Sequence, residues 1–332
     1  MSIVEATYYS SSGDVITCSL CPNECRIKNG KAGICRTRKN VDGSLTLPYF
    51  GKLSALAVDP IEKKPLYHFY PGNRILSAGF LGCSLRCPFC QNYSISQEMR
   101  TPTDTVAPRE LVDLAVEHDS FGIAYTYSEP AIHFEYVTET AAIARERGIK
   151  NVLVSNGYLN AEPAARLLEL MDAANIDLKC FSDDFYKKEL GGKLEPVLEF
   201  IRIAARTTSL EVTTLVIPGK NDSDGEMEEL SGFLADIDPN IPLHLSCYYP
   251  NYKYTIPRTP VQTIERLAGI AGKRLNFVYL GNVGTLETNT YCPECGSLLI
   301  RRRGYSVSLP GVSSGGSCST CGFMIPIPGI AG

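Results

Sequence analysis

The run GCSLRCPFC at residues 82–90 carries the strongest signal for the fold and chemistry of this chain. It brings Cys83, Cys87 and Cys90 into one glycine-flanked loop. A [4Fe-4S] cluster is normally held by four thiolates, one on each iron. A loop that supplies three leaves one iron without a protein ligand, which is the open position of a catalytic metal site. The spacing therefore favours a catalytic iron–sulfur cluster over a zinc site or three packed thiols.

The length and the net charge of the chain limit the functions that it can have. A chain of 332 residues with 44% hydrophobic content has room for one large domain with small appendages. Its 32 basic and 36 acidic residues leave a net charge of −4, which indicates neither a nucleic-acid nor an anionic-membrane surface. The opening Met1-Ser2-Ile3-Val4-Glu5 is unlike a signal peptide, and no apolar run approaches the roughly 20 residues of a membrane helix. We expect a soluble, cytoplasmic protein without a membrane partner.

The thirteen cysteines are spaced in groups that are typical of metal binding. A long chain without a signal peptide is expected in a reducing compartment, where bound metal is favoured over disulfides. Two cysteines stand alone, and the others form three groups: Cys18, Cys21, Cys25 and Cys35; Cys83, Cys87 and Cys90; and Cys292, Cys295, Cys318 and Cys321. The groups divide the chain into an N-terminal Cys-rich metal-binding module at 1–50, a central domain at 51–286, interpreted below as a barrel, and a zinc-ribbon-like module at 287–332.

The central part alternates short β-branched apolar runs with amphipathic stretches, which is typical of an α/β fold with a parallel sheet. Residues 134–147 are typical of the helices, with apolar positions at helical spacing and Gly148 at the carboxyl end. Six βα units indicate a TIM-like arrangement, with 275–280 as a possible extension of the sheet. The strands are predicted at 75–80, 122–127, 151–155, 175–179, 211–217 and 242–247.

Polar residues lie at or near the ends of successive predicted strands. Barrel enzymes place their chemistry at the carboxyl ends of the strands, so these residues are candidates for a ligand site. Structural alternatives also exist. Glu129-Pro130 suits a helix start, Asn156-Gly157 suits a turn, and His244 suits a hydrogen-bonded core position. The candidates are Glu129, Asn156, Asp177, Lys179 and His244.

Motifs along most of the chain resemble those of the AmmeMemoRadiSam-system radical S-adenosylmethionine (SAM) enzymes, relatives of the pyruvate formate-lyase activating enzymes. The cluster loop followed by Gln91-Asn92 resembles the loop of the whole superfamily. The other motifs are Cys-x2-Cys-Pro-x2-Cys at 18–25, Gly33-Ile34-Cys35, Lys63-Lys64-Pro65-Leu66-Tyr67-His68, Tyr127-Ser128-Glu129-Pro130, Asp177-Leu178-Lys179 and Tyr279-Leu280-Gly281-Asn282-Val283.

The resemblance implies a partial (β/α)6 radical SAM barrel and a defined chemistry. The three loop cysteines would bind a [4Fe-4S] cluster, and SAM would chelate the remaining iron. One electron from the cluster would cleave SAM to a 5′-deoxyadenosyl radical, which abstracts hydrogen from a substrate. The implied SAM contacts are Glu129, Asn156, Asp177, Lys179 and His244.

The outer cysteine groups predict further metal sites. Two Cys-x2-Cys knuckles at 292–295 and 318–321, separated by 22 residues, suit a zinc ribbon. Within it, the run 301–303 consists of three arginines, which either contact RNA or form a solvated face of an exposed strand. The N-terminal four cysteines suit either structural zinc or an auxiliary [4Fe-4S] cluster, and both alternatives remain open.

Three functional classes follow. The first is a radical SAM oxidoreductase of the activating type. It would take its electron from a one-electron reductant such as flavodoxin or ferredoxin. Its substrate would be an unidentified protein or small molecule, with a glycyl-radical-type protein among the candidates. The second is a radical SAM enzyme that modifies tRNA or rRNA. The third is a non-catalytic metal-binding adaptor. The complete cluster loop and polar strand ends favour the first.

Overall fold

The computed structural model describes residues 4–284, 288–325 and 327–329. Met1–Ile3 and the predicted module boundary at 286/287 lie outside these ranges, and the three-module division stays a prediction. Within the described part, every helix is too short or too polar to cross a membrane.

The N-terminal residues form small antiparallel sheets around the first cysteine group. Cys18 ends the second strand, and its backbone N–H donates to the carbonyl of Cys25, which brings the two cysteines together. The strands are β1 Tyr9–Ser12, β2 Val15–Cys18, β3 Arg26–Lys28, β4 Lys39–Val41, β5 Ser44–Thr46 and β6 Lys52–Leu53.

The centre of the molecule is an eight-stranded sheet. Its strands are β7 Ala55–Pro60, β8 Arg74–Gly79, β10 Gly122–Thr126, β11 Lys150–Ser155, β12 Ala173–Asp177, β13 Ser209–Val216, β14 Leu243–Cys247 and β15 Val278–Gly281. The short strand β9 Asp104–Thr105 lies outside this sheet and pairs with β6. The order is β15-β14-β13-β12-β11-β10-β8-β7, and every neighbouring pair is parallel except β7 with β8. The six predicted strands and the extension are confirmed, while the partial-barrel curvature stays a prediction.

Helices connect the parallel strands, as crossover connections require. In α2 the residues at helical spacing are buried, and Gly148 follows with a φ of +72°. Short helical turns occur at Ile61–Lys63, Ser94–Glu98, Pro130–His133 and Tyr186–Leu190. The helices are α1 Pro108–Glu117, α2 Phe134–Glu146, α3 Ala161–Leu168, α4 Asp183–Phe185, α5 Glu195–Thr207, α6 Asp224–Ile237 and α7 Val261–Ala271.

The core lies on both faces of the central sheet. All five residues of β10 are buried, which is expected of a parallel strand covered by helices and loops on both sides. Such strands read as continuous apolar runs, and this is why they were predictable. Strand β7 was not predicted because its first three residues are exposed and it ends in Asp59-Pro60, a composition suited to a sheet edge.

The C-terminal residues form a separate small sheet against the central one. It consists of β16 Thr290–Tyr291, β17 Leu298–Arg303 and β18 Ser306–Ser308, all antiparallel. Arg301 and Arg303 are exposed, but Arg302 is buried between them. The expectation of an arginine triplet on one exposed face is therefore wrong for Arg302, because alternate residues of a strand point to opposite faces.

Arg302 joins this ribbon to the central domain. Its Nη2 donates to the carbonyl of Tyr67 at 2.6 Å, and its Nη1 donates to Thr290 Oγ1 at 2.8 Å. Its guanidinium also lies 4.4 Å from the centre of the Tyr67 ring. A buried charge with these partners positions the ribbon on the residues that precede β8.

The N-terminal segment around Cys35 packs against the cluster loop at Gly82. This residue has a φ of +78°, and a Cβ at this position would lie 2.4 Å from the carbonyl oxygen of Cys35 and 2.7 Å from Thr37 Cγ2. Only glycine can combine this backbone conformation with so close an approach.

We therefore expect Gly82→Ala to lower the free energy of unfolding by about 2–5 kcal/mol, the sum of left-handed backbone strain and steric overlap. Gly148→Ala is the matched control, because Gly148 has a φ of +72° and a Cβ added to it would have no packing neighbour within 4 Å. That variant should lose only the backbone contribution, about 1–2 kcal/mol. Urea denaturation of both variants measures the difference, and equal losses would contradict the packing argument.

Candidate functional site

Three of the five predicted ligand residues, Asn156, Asp177 and Lys179, meet at a cavity at the carboxyl edge of the central sheet. The cavity has a volume of about 350 Å³. The loop after β8 and the segments after β10, β11 and β12 all contribute to its wall. Its lining includes Cys83, Cys87, Cys90, Gln91, Asn92, Ser128, Asn156, Asp177, Lys179, Thr213, Ser246 and Asn282.

The three loop thiols have the surroundings expected of cluster ligands. Cys87 is buried, and Cys83 and Cys90 are partly exposed. The Leu85 backbone N–H and the Asn156 side-chain amide each donate to Cys83 Sγ at 3.4 Å. Hydrogen bonds to sulfur are among the protein contacts that tune an iron–sulfur cluster. The donor set therefore fits a [4Fe-4S] cluster with one open iron.

Burial favours the protonated form of the Cys83 and Cys87 thiols. It raises the pKa of Cys87 to about 12, although the nearby Lys179 ammonium acts in the opposite direction. Burial, together with the Glu129 carboxylate, also raises the pKa of Cys83 well above its usual range. Metal ligands must be deprotonated, so the assembly of a cluster on these thiols would release protons.

Asp177 and Lys179 form an ion pair in the cavity wall. The Lys179 Nζ lies 2.6 Å from the Asp177 carboxylate. Burial lowers the pKa of Lys179, but Asp177 and Cys87 raise it more, so that the net shift is upward and the amine stays charged. The site thus presents one fixed cation and one fixed anion beside the three thiols, a combination suited to a zwitterionic ligand.

Asn156 lines the cavity, whereas Glu129 lies behind it. The Glu129 carboxylate accepts hydrogen bonds from Ser155 Oγ at 2.7 Å, the Asn156 backbone N–H at 2.8 Å and the Ala131 N–H at 3.1 Å. These contacts tie the end of β10 to the end of β11 and fix the Asn156 backbone. The predicted SAM contact of Glu129 stays a prediction.

His244 lies outside the cavity lining. Its Nε2 is 2.6 Å from the Glu211 carboxylate, whose other oxygen accepts the His68 backbone N–H at 2.7 Å. Ser246, two residues further along β14, lines the cavity, so His244 occupies the next position below it on the same face. Its SAM contact also stays a prediction.

Several lining residues were not predicted as site residues. Lys63 and Pro65 belong to a motif noted in the sequence without an assigned role, and they reach the cavity from the segment after β7. Thr213, Ser246 and Asn282 lie on or just after β13, β14 and β15. The period-two pattern of these strands is the signal that identifies Thr213 and Ser246.

The chain after β10 is strained where it meets the cluster loop. Tyr127 and Ser128 have φ values of +48° and +61°, which are unfavourable for residues other than glycine. Ser128 Oγ donates to the Gly82 carbonyl, and Tyr127 OH donates to the Asp59 carboxylate at 2.9 Å. The Ser128 contact holds the strained turn against Gly82, and the Tyr127 contact holds it against β7.

The C-terminal cysteines form a compact group that could hold a metal ion. The Sγ–Sγ distances are 3.6 Å for Cys292 and Cys321 and 3.7 Å for Cys295 and Cys318, and all four sulfurs lie within 4.8 Å of one another. A single tetrahedral ion with metal–sulfur bonds of about 2.3 Å places its ligands about 3.8 Å apart. This quartet therefore has the spacing of ligands that share one ion.

The N-terminal cysteines surround a separate small pocket. Cys18, Cys21, Cys25 and Cys35 all line it. A larger cavity of about 830 Å³ lies near the amino end of β13 and contains no cysteine. The cluster-loop cavity combines potential metal ligands with charged groups at the carboxyl edge of the central sheet.

Comparisons with known proteins agree with this arrangement. The Radical SAM superfamily pattern matches residues 79–231. An uncharacterized protein of Methanocaldococcus jannaschii is 41% identical over 332 residues, covering 97% of this chain and 99% of that protein. The pyruvate formate-lyase 1-activating enzyme of Escherichia coli K12 is 26% identical over 226 residues, which are 60% of this chain and 89% of the enzyme.

The solved structures show a likeness of fold. The crystal structure of Streptococcus suis SuiB has a TM-score of 0.50 and 14% sequence identity, over 65% of this chain and 49% of SuiB. At this identity the likeness concerns the arrangement of the sheet and helices alone.

The buried Glu129 makes the stability of the protein depend on pH. Burial raises the pKa of Glu129 to about 7 from an ordinary value of 4.5, against the lowering effect of its three hydrogen bonds. Between these values the folded chain keeps a proton that the unfolded chain has lost, so this contribution to the free energy of unfolding falls as pH rises. Glu129→Gln should remove that slope, which reaches at most about 1.4 kcal/mol per pH unit.

Denaturation by urea at a series of pH values from about 4.5 to about 7.5 measures this slope, since the range spans both pKa values. The control is Glu117→Gln, since Glu117 is exposed on α1 and should leave the wild-type pH profile in place. An unchanged profile in Glu129→Gln would show that Glu129 does not hold a proton in this range.

Proposed function

The chain belongs to the radical SAM superfamily, and from this premise we propose that the enzyme cleaves SAM with an electron from a [4Fe-4S] cluster and abstracts hydrogen from an unidentified substrate. The observation that carries the proposal is the cavity in which three loop thiols face the Asp177–Lys179 ion pair. Cys83, Cys87 and Cys90 would hold the cluster. Similarity to an activating enzyme supports this reaction class.

The surrounding side chains would bind the remainder of SAM. The Lys179 ammonium is suited to a carboxylate, and the Asp177 carboxylate and Asn156 amide are suited to hydroxyl groups. Glu129 would act mainly through Asn156, which it positions from behind. His244 would support the cavity floor through its bond to Glu211.

We also propose the class of partner. The similarity to a pyruvate formate-lyase 1-activating enzyme favours a protein substrate of the glycyl-radical type. A one-electron reductant such as flavodoxin or ferredoxin would supply the electron in a reducing cytoplasm, where the thirteen cysteines stay free thiols or metal ligands.

Zinc is the ion proposed for the C-terminal quartet. Its four sulfurs have the spacing of a single tetrahedral ion, and sites made of four cysteine thiolates are typical of structural zinc. The ion would hold the ribbon that Arg302 attaches to the central domain.

A nucleic-acid substrate is the second candidate, favoured by exposed groups on the ribbon. Arg301 and Arg303 are exposed, as are Tyr291 and Tyr305. If these residues bind RNA, the affinity falls steeply with salt and Arg301→Ala/Arg303→Ala weakens it. RNA that does not bind even at low salt removes this candidate.

The formation of 5′-deoxyadenosine from SAM tests the reaction directly. We expect the anaerobically reconstituted, dithionite-reduced enzyme to form it and the Cys83→Ala/Cys87→Ala/Cys90→Ala variant to form none. Cys247→Ala is the control, because Cys247 is buried away from the cavity lining and should retain the activity. A wild-type enzyme with no cluster would overturn the proposal and revive the adaptor function.

Binding of SAM tests the ion pair. Lys179→Met removes the ammonium but keeps an apolar stem, so the Kd for SAM should rise about tenfold or more, equivalent to about 1.4 kcal/mol or more. Lys188→Met is the matched control, because Lys188 forms a similar pair with Asp184 on the surface. Titration of the cluster spectrum with SAM gives both constants, and equal values would exclude Lys179 from the SAM site.

A further inference from the structure

The N-terminal cysteine group differs from the C-terminal one in how far apart its sulfurs stand. Cys292, Cys295, Cys318 and Cys321 lie within 4.8 Å of one another. Across residues 4–284, 288–325 and 327–329, this is the one group of three or more Cys, His, Asp or Glu ligand atoms at that spacing. The N-terminal cysteines line a common pocket, yet no three of their sulfurs approach as closely.

This spacing distinguishes two kinds of metal centre. Four thiolates on one zinc ion must lie about 3.8 Å apart, as the C-terminal sulfurs do. Four thiolates that each bind a different iron of one cluster stand further apart, because the cluster lies between them. Cys83, Cys87 and Cys90, which line their own cavity, are likewise not a group whose sulfurs all lie within 4.8 Å of one another.

We propose that Cys18, Cys21, Cys25 and Cys35 hold a second [4Fe-4S] cluster in which every iron has a protein thiolate. Such a cluster has no open iron for SAM. Its chemistry is reversible one-electron transfer, with the electron supplied by a one-electron reductant.

The pocket provides contacts that a cluster of thiolates needs. The Ile34 backbone N–H donates to Cys25 Sγ at 3.3 Å, and the Thr37 hydroxyl donates to Cys35 Sγ at 3.3 Å. Arg38, which is 1% exposed, also lines the pocket, and its guanidinium is paired with the Glu135 carboxylate. The hydrogen-bond donors stabilise the negative charge of a cluster with four thiolates.

The remaining wall of the pocket is apolar and close to the cluster loop. Three buried apolar residues, Leu20, Ile27 and Ile132, contribute to the lining beside Asn23 and Gly33. Asn23, between two of the ligands, donates to the Ser84 carbonyl of the loop at 2.8 Å. The second cluster would therefore lie directly against the loop that holds the first.

Metal analysis of the full-length Cys83→Ala/Cys87→Ala/Cys90→Ala variant tests the proposal, because this variant lacks the loop ligands. After anaerobic reconstitution with iron and sulfide, we expect about four iron and four sulfide ions per chain. The dithionite-reduced protein should give an electron paramagnetic resonance signal that SAM does not change. Two zinc ions per chain without iron, or a folded variant with no metal at the N-terminal group, would overturn the proposal.

Single substitutions in that background identify the ligands. Cys21→Ser should remove the signal and lower the iron content, while Cys180→Ser should preserve both, because Cys180 is also buried but lies outside the pocket. Iron that persists in Cys21→Ser would overturn the assignment. If the triple variant does not fold, the reduced wild-type protein is examined by electron paramagnetic resonance instead. Two cluster signals, of which SAM changes one, would support the proposal, and a single cluster signal would contradict it.

Discussion

Parallel pairing of the central strands is the constraint on which the site depends. In a parallel sheet every strand ends at the same edge, so residues far apart in sequence are brought to one place. The cluster loop follows β8, Asn156 follows β11 and Asp177 ends β12. The register of the paired strands places each of these segments at the cavity, although the segments are far apart in the sequence.

A second layer of contacts then orients the side chains. Glu129 reaches from one strand end to the next through Ser155 and the Asn156 backbone. Below the cavity, Glu211 connects His244 to the backbone of His68. In both places a buried carboxylate accepts several donors, which satisfies its hydrogen-bonding capacity and keeps the surrounding loops in one geometry.

The sequence predicted the parts that depend on local pattern. The apolar runs of the parallel strands and the cysteine spacing of the loop are visible without tertiary information, and the strands were confirmed to within about two residues at most ends. The position of Glu129 behind the cavity was not predictable, because its partners lie 26 and 27 residues away and become neighbours only through strand pairing. Strand alternation could have predicted the burial of Arg302 between two exposed neighbours. It was not predicted because a run of three arginines is typical of a solvated surface.

Arg302 has a consequence for the cooperativity of the molecule. Its guanidinium is buried against Tyr67 and Thr290, so detaching the ribbon would expose apolar surface and break charge-assisted hydrogen bonds at once. We therefore expect the ribbon and the central sheet to unfold together, so that loss of an ion from the proposed C-terminal site would affect the segment from Lys63 to His68. Because Lys63 and Pro65 line the cavity, the rigidity of its wall would then depend on an ion bound in a different part of the chain.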